Sequence, residues 1–310
     1  MTDQEILQER AHNLWTSAAR KFRPLEKATW LIVDPAVGPE QIGGLAYAQE
    51  EVLTYACAMV EPEVYKSWGT HPPSGLLLIG PGGSGKTLLA QGLARRAGAA
   101  FLGLDVPRLA LEIVRQGGQV TELLAAWSQT LGEMPATTVY FHELEFFQAE
   151  EIGGRRTDLP IGPIMDFLGE LTDRTVEVDG CLVVGSTSHP DTLRPAFVKP
   201  GRFERVVEVI PVFPGDIVAA LRIHAAQAEE LAERKLFGDV DWDDVVSRFR
   251  EPTTGDWIQM MHGVLRRKAR EQCGSGTVGP VTTDDLLAEV EHSRRTRKRL
   301  PRHGPTGTYL

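Results

Sequence analysis

The run Leu76-Leu77-Leu78-Ile79, followed by Gly80-Pro81-Gly82-Gly83-Ser84-Gly85-Lys86-Thr87, decides the reading of this chain. Four consecutive apolar residues closed by a glycine predict a short strand buried on both faces. The next eight match G-x-x-x-x-G-K-[ST], and a helical pattern over 87–97 follows them. That strand-loop-helix setting is what the chemistry of the motif requires. Glycines let backbone N–H groups converge on phosphate oxygens with no Cβ in the way, and the helix N-terminus adds partial positive charge beneath them. The spacing assigns Gly80, Pro81, Gly82, Gly83, Ser84 and Gly85 to the phosphate cradle, Lys86 to the β- and γ-phosphates, and Thr87 to Mg²⁺. The expected ligands are ATP and Mg²⁺.

Outward from this loop, short apolar runs recur at 101–104, 138–141, 182–184 and 206–210, with helix-length segments at 120–131 and 161–173. Alternation of strand and helix predicts an α/β P-loop sandwich with a parallel sheet and right-handed crossovers. After Pro214 the strand runs stop, and 216–236, 241–249, 255–272 and 282–292 predict a small all-helical domain. Residues 4–21 predict an amphipathic helix ended by Pro24, 24–40 reads as a linker, and 49–60 looks helical. The expected organisation is an N-terminal helix and linker (1–40), a nucleotide-binding α/β core (41–213), a helical subdomain (214–293) and a basic flexible tail (294–310).

A P-loop ATPase needs a second strand that ends in acid, to hold the metal shell and to activate water. Here 138–141 runs into His142-Glu143-Leu144-Glu145. Glu143 is the natural general base. His142 stands where a carboxylate is expected, and an imidazole is a poor match for a hard cation that prefers oxygen. Two readings of His142 stay open: a handicap that slows hydrolysis and weakens Mg²⁺ dependence, or a residue that reaches the metal only through water.

The segment Ser186-Thr187-Ser188-His189-Pro190-Asp191, continued to Pro200-Gly201-Arg202-Phe203-Glu204-Arg205, resembles the second region of homology of the AAA ATPases, ATNRPDxLDPALxRPGRFDR. The likeness is to the subgroup with proteasomal and membrane-protease ATPases. Gln41-Ile42-Gly43-Gly44-Leu45 is similar to the block near the adenine, and the helical segments around 240–258 and 283–286 resemble the family's lid. The resemblance spans 41–293 and implies roles position by position. Arg202 and Arg205 would be fingers reaching the γ-phosphate on a neighbouring subunit, where a guanidinium supplied in trans stabilises transition-state charge. Ser188 would stand for the polar residue that orients the attacking water, and Ile42 and Gly43 would lie near the base. Leu111-Glu112-Ile113-Val114-Arg115 falls at the pore loop that grips polypeptide, with Ile113 and Val114 as the gripping residues and Gly117-Gly118 keeping it mobile. The ending Gly307-Thr308-Tyr309-Leu310 is similar to tails by which such rings dock into a proteasome-like core particle, so Tyr309 and Leu310 are candidate docking residues.

Composition bounds the rest. The net charge is −9, and residues 294–310 hold six basic residues and no acid, which leaves 27 basic against 42 acidic in the remainder. An acidic body argues against a nucleic-acid channel. Cys57, Cys181 and Cys273 lack metal-ligand spacing, no apolar run reaches bilayer length, and the first ten residues are polar, so a cytoplasmic protein is expected. The leading expectation is an ATP-driven homo-oligomeric ring, a hexamer by resemblance, that remodels proteins. The alternatives are a poorly hydrolysing nucleotide-binding scaffold or, on the basic tail alone, a nucleic-acid ATPase.

Overall fold

The computed structural model describes residues 3–73, 75–116, 120–145, 151–152, 155–156, 161–193, 198 and 201–299. The chain divides into two compact units, one of residues 1–42 with 46–210 and one of 43–45 with 211–310.

The first unit is built on a six-stranded sheet of β1 (Thr29–Ile32), β2 (Gly75–Ile79), β3 (Ala100–Asp105), β4 (Thr137–His142), and the two later strands. A two-residue pair, β5 (Glu151–Ile152) with β6 (Arg155–Arg156), stands outside it; β7 (Cys181–Thr187) and β8 (Arg205–Glu208) complete the main sheet. The order is β1-β3-β4-β7-β2-β8, parallel throughout except for β1, which pairs antiparallel with β3. The expected parallel sheet is therefore mixed at one edge. The difference comes from the stretch read as a linker. Residues 24–40 instead supply most of a short helix and the edge strand β1. The preference of Thr29, Trp30 and Ile32 for extended structure outweighs the turn signals around them.

Helices cover both faces. The first unit's helices are α1 (Asp3–Lys21), α2 (Arg23–Ala28), α3 (Ala46–Thr54), α4 (Ala56–Val60), α5 (Pro62–Ser67), α6 (Lys86–Arg96), α7 (Val106–Gln116), α8 (Val120–Glu133) and α9 (Ile161–Val176). Helices α1, α2, α7, α8 and α9 share one core with Leu77, Leu102, Leu104, Val139, Phe141 and Val183 of the sheet. Helix α1 is thus built into the α/β core: Trp15 meets Trp127 of α8 edge to face, ring centroids 5.4 Å apart. Helix α6 lies against the other face, over β3, β4 and β7. Because side chains alternate along a strand, Val139 and Phe141 point one way and Tyr140 and His142 point toward α6.

The second unit packs α10 (Gly215–Ala232), α11 (Trp242–Ser247), α12 (Thr254–Ser275) and α13 (Thr283–Arg299). Trp242, Val245, Trp257, Met261, Val264, Leu286 and Val290 form its core, which accounts for both tryptophans structurally. Thr253 and Asp256 close a reciprocal cap on α12, and Asp241 caps α11. The basic residues 294–299, expected in a flexible tail, extend α13 by more than a turn. Asp216 at the start of α10 accepts the N–H groups of Leu45 and Val212, each at 2.9 Å, and so ties residues 43–45 to this unit.

Candidate functional site

Strands β2, β7 and β4 are neighbours, and their C-terminal ends deliver the loop at 80–87, Ser188 and Glu143 to one edge of the sheet. The carboxyl ends of parallel strands are where open α/β sheets bind ligands. Two glycines in the loop are sterically required. Gly80 has φ +155° and passes so close to β8's exit that a Cβ would sit 2.3 Å from the Val209 carbonyl oxygen. Gly85 precedes α6 in a left-handed conformation, φ +104°, which points the first amides of the helix at the loop.

Lys86 is buried, with its ammonium donating to the carbonyls of Gly80 (2.6 Å) and Pro81 (2.9 Å) and to Ser188 Oγ (3.3 Å). Burial lowers its pKa to about 8, against the opposing pull of Glu145 and Glu143. Ser84 is buried, and its Oγ has no hydrogen-bond partner. A buried hydroxyl without a partner is costly and marks a place where a ligand oxygen would be welcome. Pro81, Gly82 and Gly83 are exposed, and a Cβ added at Gly82 would meet open space. These features fit the phosphates of a nucleotide. For a divalent cation the loop offers the Thr87 hydroxyl, which lies 3.0 Å from Tyr140 Oη.

The acidic segment follows at once. Glu143 adopts φ +57°, a left-handed conformation that costs a non-glycine residue about 1–3 kcal/mol and persists only where its surroundings enforce it. Its half-exposed carboxylate lies 3.8 Å from His142 Nε2. His142 stacks on Tyr140 and keeps a buried Nδ1 without a partner. Glu145, which the sequence reading passed over, accepts the Ser188 N–H at 2.9 Å and holds a second buried oxygen without a partner. The signal was present: it is the second acid at the exit of the same strand.

The two arginines differ in their surroundings. Arg202 is 8% exposed, and its guanidinium grips Asp173 of α9 at both oxygens, Nη2 to Oδ2 at 2.7 Å. Gly169, one turn earlier on α9, leaves the room: a Cβ there would lie 3.0 Å from Arg202 Nη2. Within the single chain the Arg202 guanidinium is thus turned to Asp173 rather than to solvent. Arg205 is exposed and donates from Nε to Glu51 at 2.6 Å. Sequence reasoning missed Asp173 because nothing in its own segment distinguishes it from a solvated acid.

The remaining candidates lie apart. Ile42 is buried and packs over Gly92 of α6, in the first unit. Gly43 belongs to the second, where its Cα faces the Ala220 backbone so closely that a Cβ would clash at 2.3 Å. The segment read as a pore loop is the last part of helix α7. Ile113 packs against the core and Glu112 is buried, which leaves Val114, 38% exposed, as the outward residue of the pair. The expected loop gives way to a helix because 106–116 carries a strong amphipathic pattern. Gly117 and Gly118, and Tyr309 and Leu310, lie outside the described residues. No helix among the described residues is long and apolar enough to cross a membrane, and no cluster of three or more His, Cys, Asp or Glu there could hold a metal.

A mostly parallel sheet, a glycine-rich loop between strand and helix, a buried lysine in that loop and an acid at the end of a nearby strand make up a P-loop α/β domain. Residues 76–210, a little under half of the chain, match the family model described as "ATPase family associated with various cellular activities (AAA)", so this segment is similar to an AAA ATPase domain. It is similar to the proteasome-activating nucleotidase of Saccharolobus islandicus, 28% identical over 67% of this chain and 53% of the relative. The protein of that name from Archaeoglobus fulgidus is 31% identical over 71% of this chain and 54% of its own. The one from Methanocaldococcus jannaschii is 29% identical over 85% and 59%. The chain thus spans a little over half the length of these curated relatives.

Proposed function

We propose that this protein hydrolyses ATP with Mg²⁺ in a homo-oligomeric ring, a hexamer by resemblance, and uses the energy to unfold or remodel protein substrates in the cytoplasm. The observation that carries the reading is the meeting of Lys86, Ser188, Glu143 and Glu145 at the ends of three adjacent strands. The loop of residues 80–87 binds the phosphates, and Ile42 and Gly43 lie toward the base. Lys86 holds charge against the phosphates, and Ser188 and Glu145 fix the end of β7 beside it. Glu143 takes the proton of the attacking water. A bound Mg²⁺ supplies charge neutralisation at the phosphates, with Thr87 as its protein ligand and His142 adding no oxygen. Arg205, exposed on its own subunit, is the finger that reaches a neighbour's nucleotide; Arg202 holds the loop that carries it.

The names of the relatives support a protease partner, and we place the contact at Tyr309 and Leu310. The Tyr309 ring beside the apolar Leu310 suits capture in a pocket between subunits, and several copies on one ring gain avidity. The acidic body disfavours nucleic acid as a partner. A second reading, a nucleotide-binding scaffold that does not turn over, is favoured by His142 in the carboxylate position.

The test is phosphate release by the full chain and by Glu143→Gln across protein concentrations, with nucleotide binding measured in parallel. Turnover that rises with assembly and disappears in Glu143→Gln, while nucleotide still binds, supports the motor. Tight binding with no turnover by the wild type at any concentration establishes the scaffold instead. Retention by a proteasome-like core particle, lost when Tyr309 and Leu310 are removed, tests the docking arm; no retention of the intact assembled chain with ATP overturns it.

A further inference from the structure

Three hydroxyls and a carbonyl form a chain beneath the phosphate loop. Thr87 Oγ1 lies 3.0 Å from Tyr140 Oη, Tyr140 Oη lies 2.8 Å from Ser186 Oγ, and Ser186 Oγ lies 3.4 Å from the Phe141 carbonyl oxygen. Tyr140 and Ser186 are buried, at 0% and 1% exposure, so no water competes for these protons. The direction of the chain follows from counting. A carbonyl only accepts, so Ser186 spends its one proton on Phe141. Tyr140 must then donate to Ser186. Its single proton is used, so the contact with Thr87 is made by the Thr87 proton.

We infer that Tyr140 is a positioning residue for the nucleotide site: it takes the proton of Thr87 and leaves the lone pairs of that oxygen turned toward the phosphate loop, as an acceptor for a divalent cation. A free threonine hydroxyl rotates and presents either proton or lone pair. A hydroxyl whose proton is held by a buried phenol presents lone pairs only, at no ordering cost when a cation arrives. The arrangement bears on the rest of the site, because His142, which stacks on the same ring, offers no oxygen. Because residue 142 supplies no oxygen, the orientation of the Thr87 oxygen carries more of the cation's binding. The inference rests on the nucleotide-binding reading proposed above.

The test is calorimetric binding of ADP to the full chain, in excess Mg²⁺ and in EDTA, for wild type, Tyr140→Phe, Thr87→Ala and the double variant. The readout is the factor by which Mg²⁺ tightens ADP binding. Tyr140→Phe keeps the ring and removes the hydroxyl that accepts from Thr87 and donates to Ser186. It should cut that factor about 3- to 10-fold, the worth of one hydrogen bond, while affinity in EDTA stays within about twofold. In the Thr87→Ala background it should change nothing further, since the oxygen it orients is gone. Ser186→Ala, which removes the acceptor of the Tyr140 proton, should lower the factor in the same direction and serves where Tyr140→Phe folds poorly. Equal loss with and without Mg²⁺ would mean a purely structural role and would overturn the inference, as would an unchanged factor or an undiminished effect without Thr87. No ADP binding by the wild type in either condition would instead refute the nucleotide site itself.

Discussion

Arg202→Ala should destabilise the protein, and Arg205→Ala should not. The structure sets the size. Arg202 is buried and makes a two-pronged, charge-assisted contact with Asp173, whose side chain is 45% exposed. Hydrogen bonds to charged groups contribute about 1.5–3 kcal/mol. Removing one partner of a fully buried pair costs about 3–5 kcal/mol, because a charge is left unsolvated. Asp173 faces water on one side and recovers part of its hydration, so about 2–3 kcal/mol is expected. For a folding unit of some 200 residues each kcal/mol moves Tm by about 2–4 °C, so the drop should be about 4–12 °C. The contact of Arg205 with Glu51 is an exposed pair of small worth, and its removal should leave Tm within about 2 °C. Thermal unfolding without nucleotide reads both, and phosphate release at a fixed concentration above assembly reads the other half: Arg205→Ala should lose turnover with its fold intact. Arg202→Lys keeps the charge but not the fork, so it should fall between wild type and alanine. An Arg202→Ala protein with unchanged Tm and abolished turnover would refute the reasoning, since that is the behaviour of a free finger.

Lys86→Ala should weaken nucleotide binding strongly by removing the cation that faces the phosphates, as calorimetry would show. Wild-type affinity should be steady below the Lys86 pKa of about 8 and fall as pH rises through it. Over the same range the nucleotide-free protein should gain stability from this group, because between about 8 and the ordinary value of 10.5 the unfolded chain holds the extra proton. An affinity flat from pH 7 to 10 would contradict both. His142→Asp should speed hydrolysis about 10- to 100-fold by adding an oxygen ligand, measured as kcat at saturating Mg²⁺; a slower variant would show that the imidazole is no handicap.

The strands, helices and phosphate loop were legible because each rests on local pattern: apolar runs for buried strands, 3.6-residue spacing for helices, and one long motif. What was misread depends on partners far along the chain. Residues 24–40 carry turn formers, and only the free edge of β3 makes them a strand. Ile113 and Val114 were placed by resemblance to the family's pore loop, whereas their helix is decided by packing on the core. The fate of Arg202 turns on Gly169 and Asp173, some thirty residues earlier on another element. Tyr140 was visible as a hydroxyl in an apolar strand, yet its use depends on Thr87 and Ser186, which meet only once three strands are in register.

These parts of the site are coupled through charge. Lys86 is held below the ordinary lysine range because burial outweighs the carboxylates of Glu145 and Glu143. Replacing a carboxylate by an imidazole at 142 removes one negative group from the end of β4, where it would have helped keep that ammonium charged. The loop then relies more on the phosphates themselves for a counter-charge, so binding should draw a proton onto Lys86 at mildly alkaline pH. Restoring a carboxylate therefore has two effects that must appear together. His142→Asp should raise turnover through the metal, and it should also move the alkaline fall in nucleotide affinity to higher pH, because a third negative group supports the protonated lysine. Faster turnover with the alkaline limb unmoved would mean that residue 142 acts on the metal alone, and that Lys86 is tuned by burial and the two glutamates without it.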